Sequence, residues 1–96
     1  MILINKSKWT CGHCGNVSKI EWDLDLVEQY RGQKGIFSKW EDCESCACKN
    51  CGNTLSAKLW MREYPEGVLE KCGIEIVEEE KGNNSIEIPN IQLFDL

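Results

Sequence analysis

The chain has 96 residues, seven cysteines and a net charge of −5. That length fits one domain, no apolar stretch approaches the roughly 18 residues of a membrane helix, and an odd cysteine count excludes a fully paired set of disulfides within one chain. The charge is uneven, at +2 over residues 1–62 and −7 over residues 63–96, which argues against broad phosphate-backbone binding.

In chain order, the first apolar run, Met1 to Ile4, is far too short for a signal peptide, and its lysines, Lys6 and Lys8, come after it instead of preceding it. With the odd cysteine count, this predicts a reduced, cytoplasmic protein whose thiolates bind metal. Next, Ile20, Trp22, Leu24 and Leu26 alternate with Glu21, Asp23 and Asp25 and read as a half-buried strand. The best candidate for a helix is Leu24 to Tyr30, with Leu26, Val27 and Tyr30 at helical spacing. Arg31-Gly32-Gln33-Lys34-Gly35 separates the first strand from Ile36-Phe37-Ser38-Lys39-Trp40. Leu55, Ala57, Leu59 and Met61 alternate with Ser56, Lys58, Trp60 and Arg62.

Tyr64-Pro65-Glu66-Gly67 has the pattern of a type I turn, with Pro second and Gly fourth. Ile74 and Ile76, then Ile86 and Ile88, mark two short strands, and Lys81-Gly82-Asn83-Asn84 between them reads as a hairpin turn. Pro89 confines the next strand to a sheet edge or ends it. The expectation is an all-β domain over residues 1–96, with a core at 8–62 and an acidic β extension at 63–96.

A short internal repeat carries the chemistry. Trp9-Thr10-Cys11-Gly12-His13-Cys14-Gly15-Asn16 matches Cys46-Ala47-Cys48-Lys49-Asn50-Cys51-Gly52-Asn53. Two residues between cysteines let both sulfurs of a tight turn face one ion, and the glycine after them permits positive φ, so that backbone amides turn toward the thiolates. Cys11, Cys14, Cys48 and Cys51 are therefore the candidate ligands of one metal ion, Zn2+ by preference. Four thiolates close a tetrahedral shell and leave no open position for substrate, so the site is structural.

The repeat places Cys46 in line with Trp9, two residues ahead of a ligand and facing the core, so it is expected to be a small buried hydrophobe. Cys43 and Cys72 are expected to be non-ligands, and a second site from Cys43, Cys46, Cys72 and His13 is the alternative set against this. His13, between the first two ligands, is expected to face solvent.

Paired C-x-x-C-G knuckles with β runs between and after them resemble the zinc ribbon class of rubredoxin-like folds, over residues 8 to about 62. The resemblance implies a ribbon fold and, at the matching positions, zinc ligation by Cys11, Cys14, Cys48 and Cys51. It says almost nothing of function, because zinc ribbons occur in transcription factors, ribosomal proteins, polymerase subunits and many small uncharacterised bacterial proteins. Rubredoxin itself, an iron electron carrier, has similar knuckles. Here Lys49 stands where rubredoxin has a proline, the 33-residue spacer is not rich in proline and aspartate, and 45 residues stand after Cys51.

Four functions are candidates. The preferred one is a non-enzymatic module with structural zinc whose partner is a protein, with Trp9, Trp22, Trp40 and Trp60 either packed in a thin core or exposed as anchors. Trp60, out of phase with Leu59 and Met61, is the best candidate anchor. The second is an iron electron carrier. The third is nucleic-acid binding through Lys6, Lys8, Lys19, Lys49, Lys58 and Arg62, with Trp60 stacking on a base. An enzyme is disfavoured, since the chain has one histidine, no nucleophile motif and no glycine-rich phosphate loop.

Structural zinc in small motifs is worth roughly 10 to 16 kcal/mol, against a total domain stability of about 5 to 15 kcal/mol. A strong chelator is therefore expected to unfold at least residues 8–62, read as loss of the near-ultraviolet circular dichroism of the tryptophans.

Overall fold

The deepest alternation in the sequence becomes the central strand. Leu55, Ala57, Leu59 and Met61 are buried to 3% exposure or less, while Ser56, Lys58, Trp60 and Arg62 keep contact with solvent. The computed structural model describes residues 2–93, so Met1 and, in the expected acidic extension, residues 94–96 lie outside the described residues. Every regular element among them is a strand: β1 (Ile2–Ile4), β2 (Ser7–Thr10), β3 (Val17–Ile20), β4 (Asp25–Gly32), β5 (Gly35–Ala47), β6 (Thr54–Glu63), β7 (Leu69–Glu79), β8 (Ser85–Ile86) and β9 (Ile91–Leu93). The fold is all-β, and no helix among these residues is long and apolar enough to cross a membrane.

Three antiparallel sheets result. β4-β5-β6-β7 is a four-stranded meander, β3-β2-β8 a three-stranded sheet, and β1-β9 a two-stranded ribbon. Residues directly opposite in an antiparallel pair share a face. Trp40, Asp42, Glu44 and Cys46 of β5 therefore lie on the inner face with Met61, Leu59, Ala57 and Leu55, and Cys72, Ile74 and Ile76 of β7 join them. The three-stranded sheet closes over this face. Trp9, Ile20 and Trp22 pack against Leu55, Ala57 and Leu59, with Ile4, Leu24, Cys46, Ile74 and Ile86 around them. The buried Trp22 indole donates to Ser7 Oγ at 2.7 Å, so neither polar group is left unmatched.

Two of the four tryptophans, Trp9 and Trp22, are thus core residues. Trp40 is half-buried, with its indole donating to Glu63 Oε1 at 3.2 Å. Trp60 lies on the outer face, opposite Gly73. Its ring fills the space that a side chain at Gly73 would occupy, and the Arg62 guanidinium lies 5.6 Å from its centroid.

Local pattern and structure part company at four places. The alternating run Ile20 to Leu26 is not one strand: β3 ends at Ile20, Trp22 turns into the core, and β4 starts at Asp25. The candidate helix, Leu24 to Tyr30, is instead mostly β4, an edge strand on which Leu26, Val27 and Tyr30 are exposed. A register shift between Leu26 and Glu28 breaks its period of two, which produces the helix-like spacing in the sequence. The turn after β6 is shifted by one residue, because Val68 N donates to Pro65 O at 3.0 Å. That puts Gly67 third, with φ 85°, where a type II turn needs glycine. Finally, Lys81 to Asn84 does not close a hairpin. β7 belongs to the meander and β8 to the sheet of β2, so the segment crosses between sheets.

Glu44 sits on the inner face opposite Ala57. A hydrogen bond with Asp42, partial burial and the charges of Asp42, Asp23 and Glu21 all raise its pKa above 4.5. A carboxyl raised on folding contributes stability in full below its unfolded pKa, and that contribution is lost as pH rises through the folded value. Glu44→Gln should therefore raise the urea midpoint at pH 7, with the gain disappearing below about pH 4, near the ordinary glutamate value.

Candidate metal centre

Each half of the repeat folds into the same turn. Cys11 N donates to Asn16 O at 2.9 Å and Gly15 N to Cys11 O at 2.9 Å; Cys48 N donates to Asn53 O at 2.7 Å and Gly52 N to Cys48 O at 2.8 Å. Gly15 and Gly52 hold φ at 78° and 79°, where a side chain is strained. The first cysteine of each turn, Cys11 or Cys48, is buried in the core, and the second, Cys14 or Cys51, is exposed.

The two turns present all four sulfurs to one point. The Sγ atoms of Cys11, Cys14, Cys48 and Cys51 lie within 4.8 Å of one another. Cys11 and Cys51 are 3.6 Å apart, as are Cys14 and Cys48, so the close pairs run between the turns. A tetrahedral zinc with bonds of about 2.3 Å needs sulfurs about 3.8 Å apart, and these spacings fit. They exceed a disulfide bond of about 2.05 Å. An all-sulfur donor set favours zinc, iron or copper(I) over magnesium or calcium. The four residues can therefore hold one metal ion with a closed shell, and the arrangement is compatible with a zinc-ribbon-like site.

The thiols of Cys11, Cys48 and Cys51 are inequivalent. The Asn53 carboxamide, with the amides of Cys14 and His13 and the Cys51 thiol, outweighs burial and brings Cys11 down to about 6. Cys48 is lowered first by the amide of Cys51, then by those of Asn50 and two neighbouring thiols. The Asn53 amide acts on Cys51 in the same sense, but burial and the sulfurs of Cys14, Cys11 and Cys48 together push it up to about 12. The buried first cysteines thus accept backbone N–H bonds from matching positions of their own turns.

The surroundings of the two turns differ. Asn16 Nδ2 reaches only Ser18 Oγ, at 3.5 Å. Asn53, at the matching position, is buried, and its Nδ2 is shared among Cys11 Sγ at 3.4 Å, Lys81 O at 3.4 Å and Asn84 Oδ1 at 3.2 Å. Its Oδ1 accepts from Lys81 N at 2.9 Å. Asn84 Oδ1 also accepts from Trp9 Nε1 at 3.1 Å and Gly12 N at 2.9 Å. Its Nδ2 donates to Glu79 Oε2 at 2.7 Å and Lys81 O at 2.6 Å. Sequence reasoning missed Asn84 and Lys81 at the site. The signal available was the repeated Asn after each knuckle, which marks Asn53 but not its partners.

The remaining candidates stand apart. Cys43 is exposed, opposite Lys58 on the outer face. Cys46 faces inward and packs against the core, with burial and then the Glu44 charge pushing its thiol up. Cys72 is half-buried opposite Met61, and His13 is exposed. Among the described residues, only Cys11, Cys14, Cys48 and Cys51 group as metal ligands, so the alternative second site does not form. No protein-family model, curated protein or solved structure matches the chain.

Gly12 shows the demand made by the covering loop. A methyl group there would overlap Gly82 O and the backbone of Asn83. The matching position in the second turn is the exposed Lys49, so the turn itself tolerates a side chain. Gly12→Ala should cost roughly 1 to 3 kcal/mol by overpacking, whereas Lys49→Ala should stay within about 0.5 kcal/mol of wild type, both measured by urea unfolding of the metal-loaded protein.

Proposed function

We propose that the chain is a small cytoplasmic zinc protein of the zinc-ribbon type, whose one zinc ion is structural and whose sheet is a protein-interaction module. The observation that carries the zinc reading is the closed, all-sulfur cluster with half its ligands in the core. It stabilises the fold and leaves no coordination position for a substrate, so catalysis is not part of this reading.

The choice of a protein partner is supported by the edges of the meander. β4 exposes Leu26, Val27 and Tyr30, and β7 exposes Leu69 and Val77. Aromatic side chains continue inward from β4, where Tyr30 stacks on Phe37 at 4.7 Å and Phe37 tilts against Tyr64 at 6.2 Å. The basic residues that a nucleic acid would need are partly engaged. Glu41 lies 3.3 Å from both Lys39 and Lys58, and Lys6 is 3.9 Å from Glu21. Burial opposes it, but those two lysines hold the Glu41 carboxyl below its ordinary range.

Native mass spectrometry, elemental analysis and an absorption spectrum of one sample test the zinc reading. One zinc per chain in a colourless solution is expected. One iron with visible absorption would make the protein an electron carrier, and a folded chain without metal would overturn the site. A photo-crosslinker replacing Tyr30 tests the surface in cells. Protein adducts are expected, whereas RNA adducts with steep salt dependence would assign the face to nucleic acid.

A further inference from the structure

We propose that Asn53 and Asn84 form a clasp through which the metal-closed pair of knuckles holds the last part of the chain, residues 79–93, against the rest of the fold. The inference rests on metal binding at the four cysteines. It adds a role for that metal beyond joining two loops, namely control of the docking of a third segment.

The clasp takes its bonds from both knuckles at once. Asn84 Oδ1 accepts from Gly12 N, which belongs to the first knuckle, and from Asn53 Nδ2, immediately after the second. Asn53 Nδ2 also reaches back to Cys11 Sγ, across from one knuckle to the other. One carboxamide can satisfy donors from both knuckles only when these are held at their closed spacing. A shared metal ion is the element that fixes that spacing. Three N–H groups converge on Asn84 Oδ1, while its Nδ2 faces the Glu79 carboxylate and Lys81 O, so the amide orientation is determined by its partners.

The clasp is separate from the bonds the knuckles need to form. The two turns have matching backbone bonds, yet Asn16 makes no such connection and Lys49 stands where Gly12 is covered. The features in which the two copies differ, a glycine at position 12 in the first and a buried Asn53 after the second, are those that the Lys81–Asn84 loop touches.

Beyond the clasp, the segment stays antiparallel to the beginning of the chain. β8 pairs with Trp9 and Thr10, Glu87 N donates to Lys8 O at 2.9 Å, Asn5 N donates to Asn90 O at 3.2 Å, and β9 pairs with β1. Release of the clasp would free this whole seam, exposing the edge of β2 and the indole of Trp9. In the zinc-loaded chain the clasp thus controls whether that edge is covered.

Linkage makes the clasp testable from both ends. If metal favours the docked segment, the docked segment must favour metal by the same factor. The experiment uses the full chain loaded with zinc, with affinity measured by chelator competition and docking by amide hydrogen exchange at Gly12, Lys81 and Glu87. Asn84→Ala is expected to weaken zinc by up to about 10- to 100-fold, the range for groups that orient a metal's ligands, because it frees Gly12 N and the Asn53 amide that reaches Cys11, and to speed exchange at Lys81 and Glu87 while β5 and β6 stay protected. Ile91→Ala loosens the same segment from a strand that carries no ligand. It is expected to weaken zinc by the factor by which it speeds exchange at Glu87 in the zinc-loaded chain. Faster exchange in either variant with wild-type zinc affinity would overturn the clasp and leave the metal site standing. A wild-type chain that takes up no zinc would overturn both.

Discussion

The arrangement depends on one constraint: residues 11–14 and 48–51 must meet at a single point. β2 runs directly into Cys11, and β5 leads into Cys48, so closing the four sulfurs lays the small sheet over the inner face of the meander. Trp9, two residues before its ligand, arrives against Leu55 and Ala57 through the same geometry. Cys11 and Cys48 are themselves core residues, which makes the four-cysteine cluster continuous with the hydrophobic interior. In a chain this short the apolar contribution alone is modest, and an ion shared by the two turns would add stability where the two sheets meet.

Backbone symmetry and environmental asymmetry coexist at this centre. The repeat gives both knuckles the same turn, the same left-handed glycine and the same backbone donors to their first sulfur. Their coverings are different. The loop after β7 covers the first knuckle, and Lys49 and Asn50 of the second remain exposed. The fold has used one local solution twice and distinguished the copies through a distant part of the chain.

Legibility in the sequence depends on the range of the interaction. The four candidate ligands are readable because their spacing is a local requirement of the turn. β6 is readable because both faces of a central strand are constrained, so its alternation is strict. The inward direction of Cys46 can be inferred from Trp9 because the repeat transfers geometry from one copy to the other. β4 is harder, since an edge strand with a bulge has little burial to enforce its period, and Leu26, Val27 and Tyr30 imitate a helical stripe. The Lys81–Asn84 segment has good turn residues, but turn chemistry does not specify which sheet receives the next strand. Its true partners, Trp9 and Gly12, are 75 and 72 positions away from Asn84.

That separation also orders the assembly of the molecule. Each strand of the meander pairs only with its neighbours in sequence, and β4 and β5 are joined by the two residues Gln33 and Lys34. Loop-closure entropy is smallest there. The knuckles must close a longer loop, the clasp a longer one still, and the pairing of β1 with β9 the longest of these, so the contacts of highest sequence separation carry the greatest entropic barrier. During synthesis the first knuckle emerges with the loop that covers it still about 70 residues from being made. The nascent chain therefore passes through a stage in which β2 has an open edge, sealed only once Ser85, Ile86 and Glu87 have appeared.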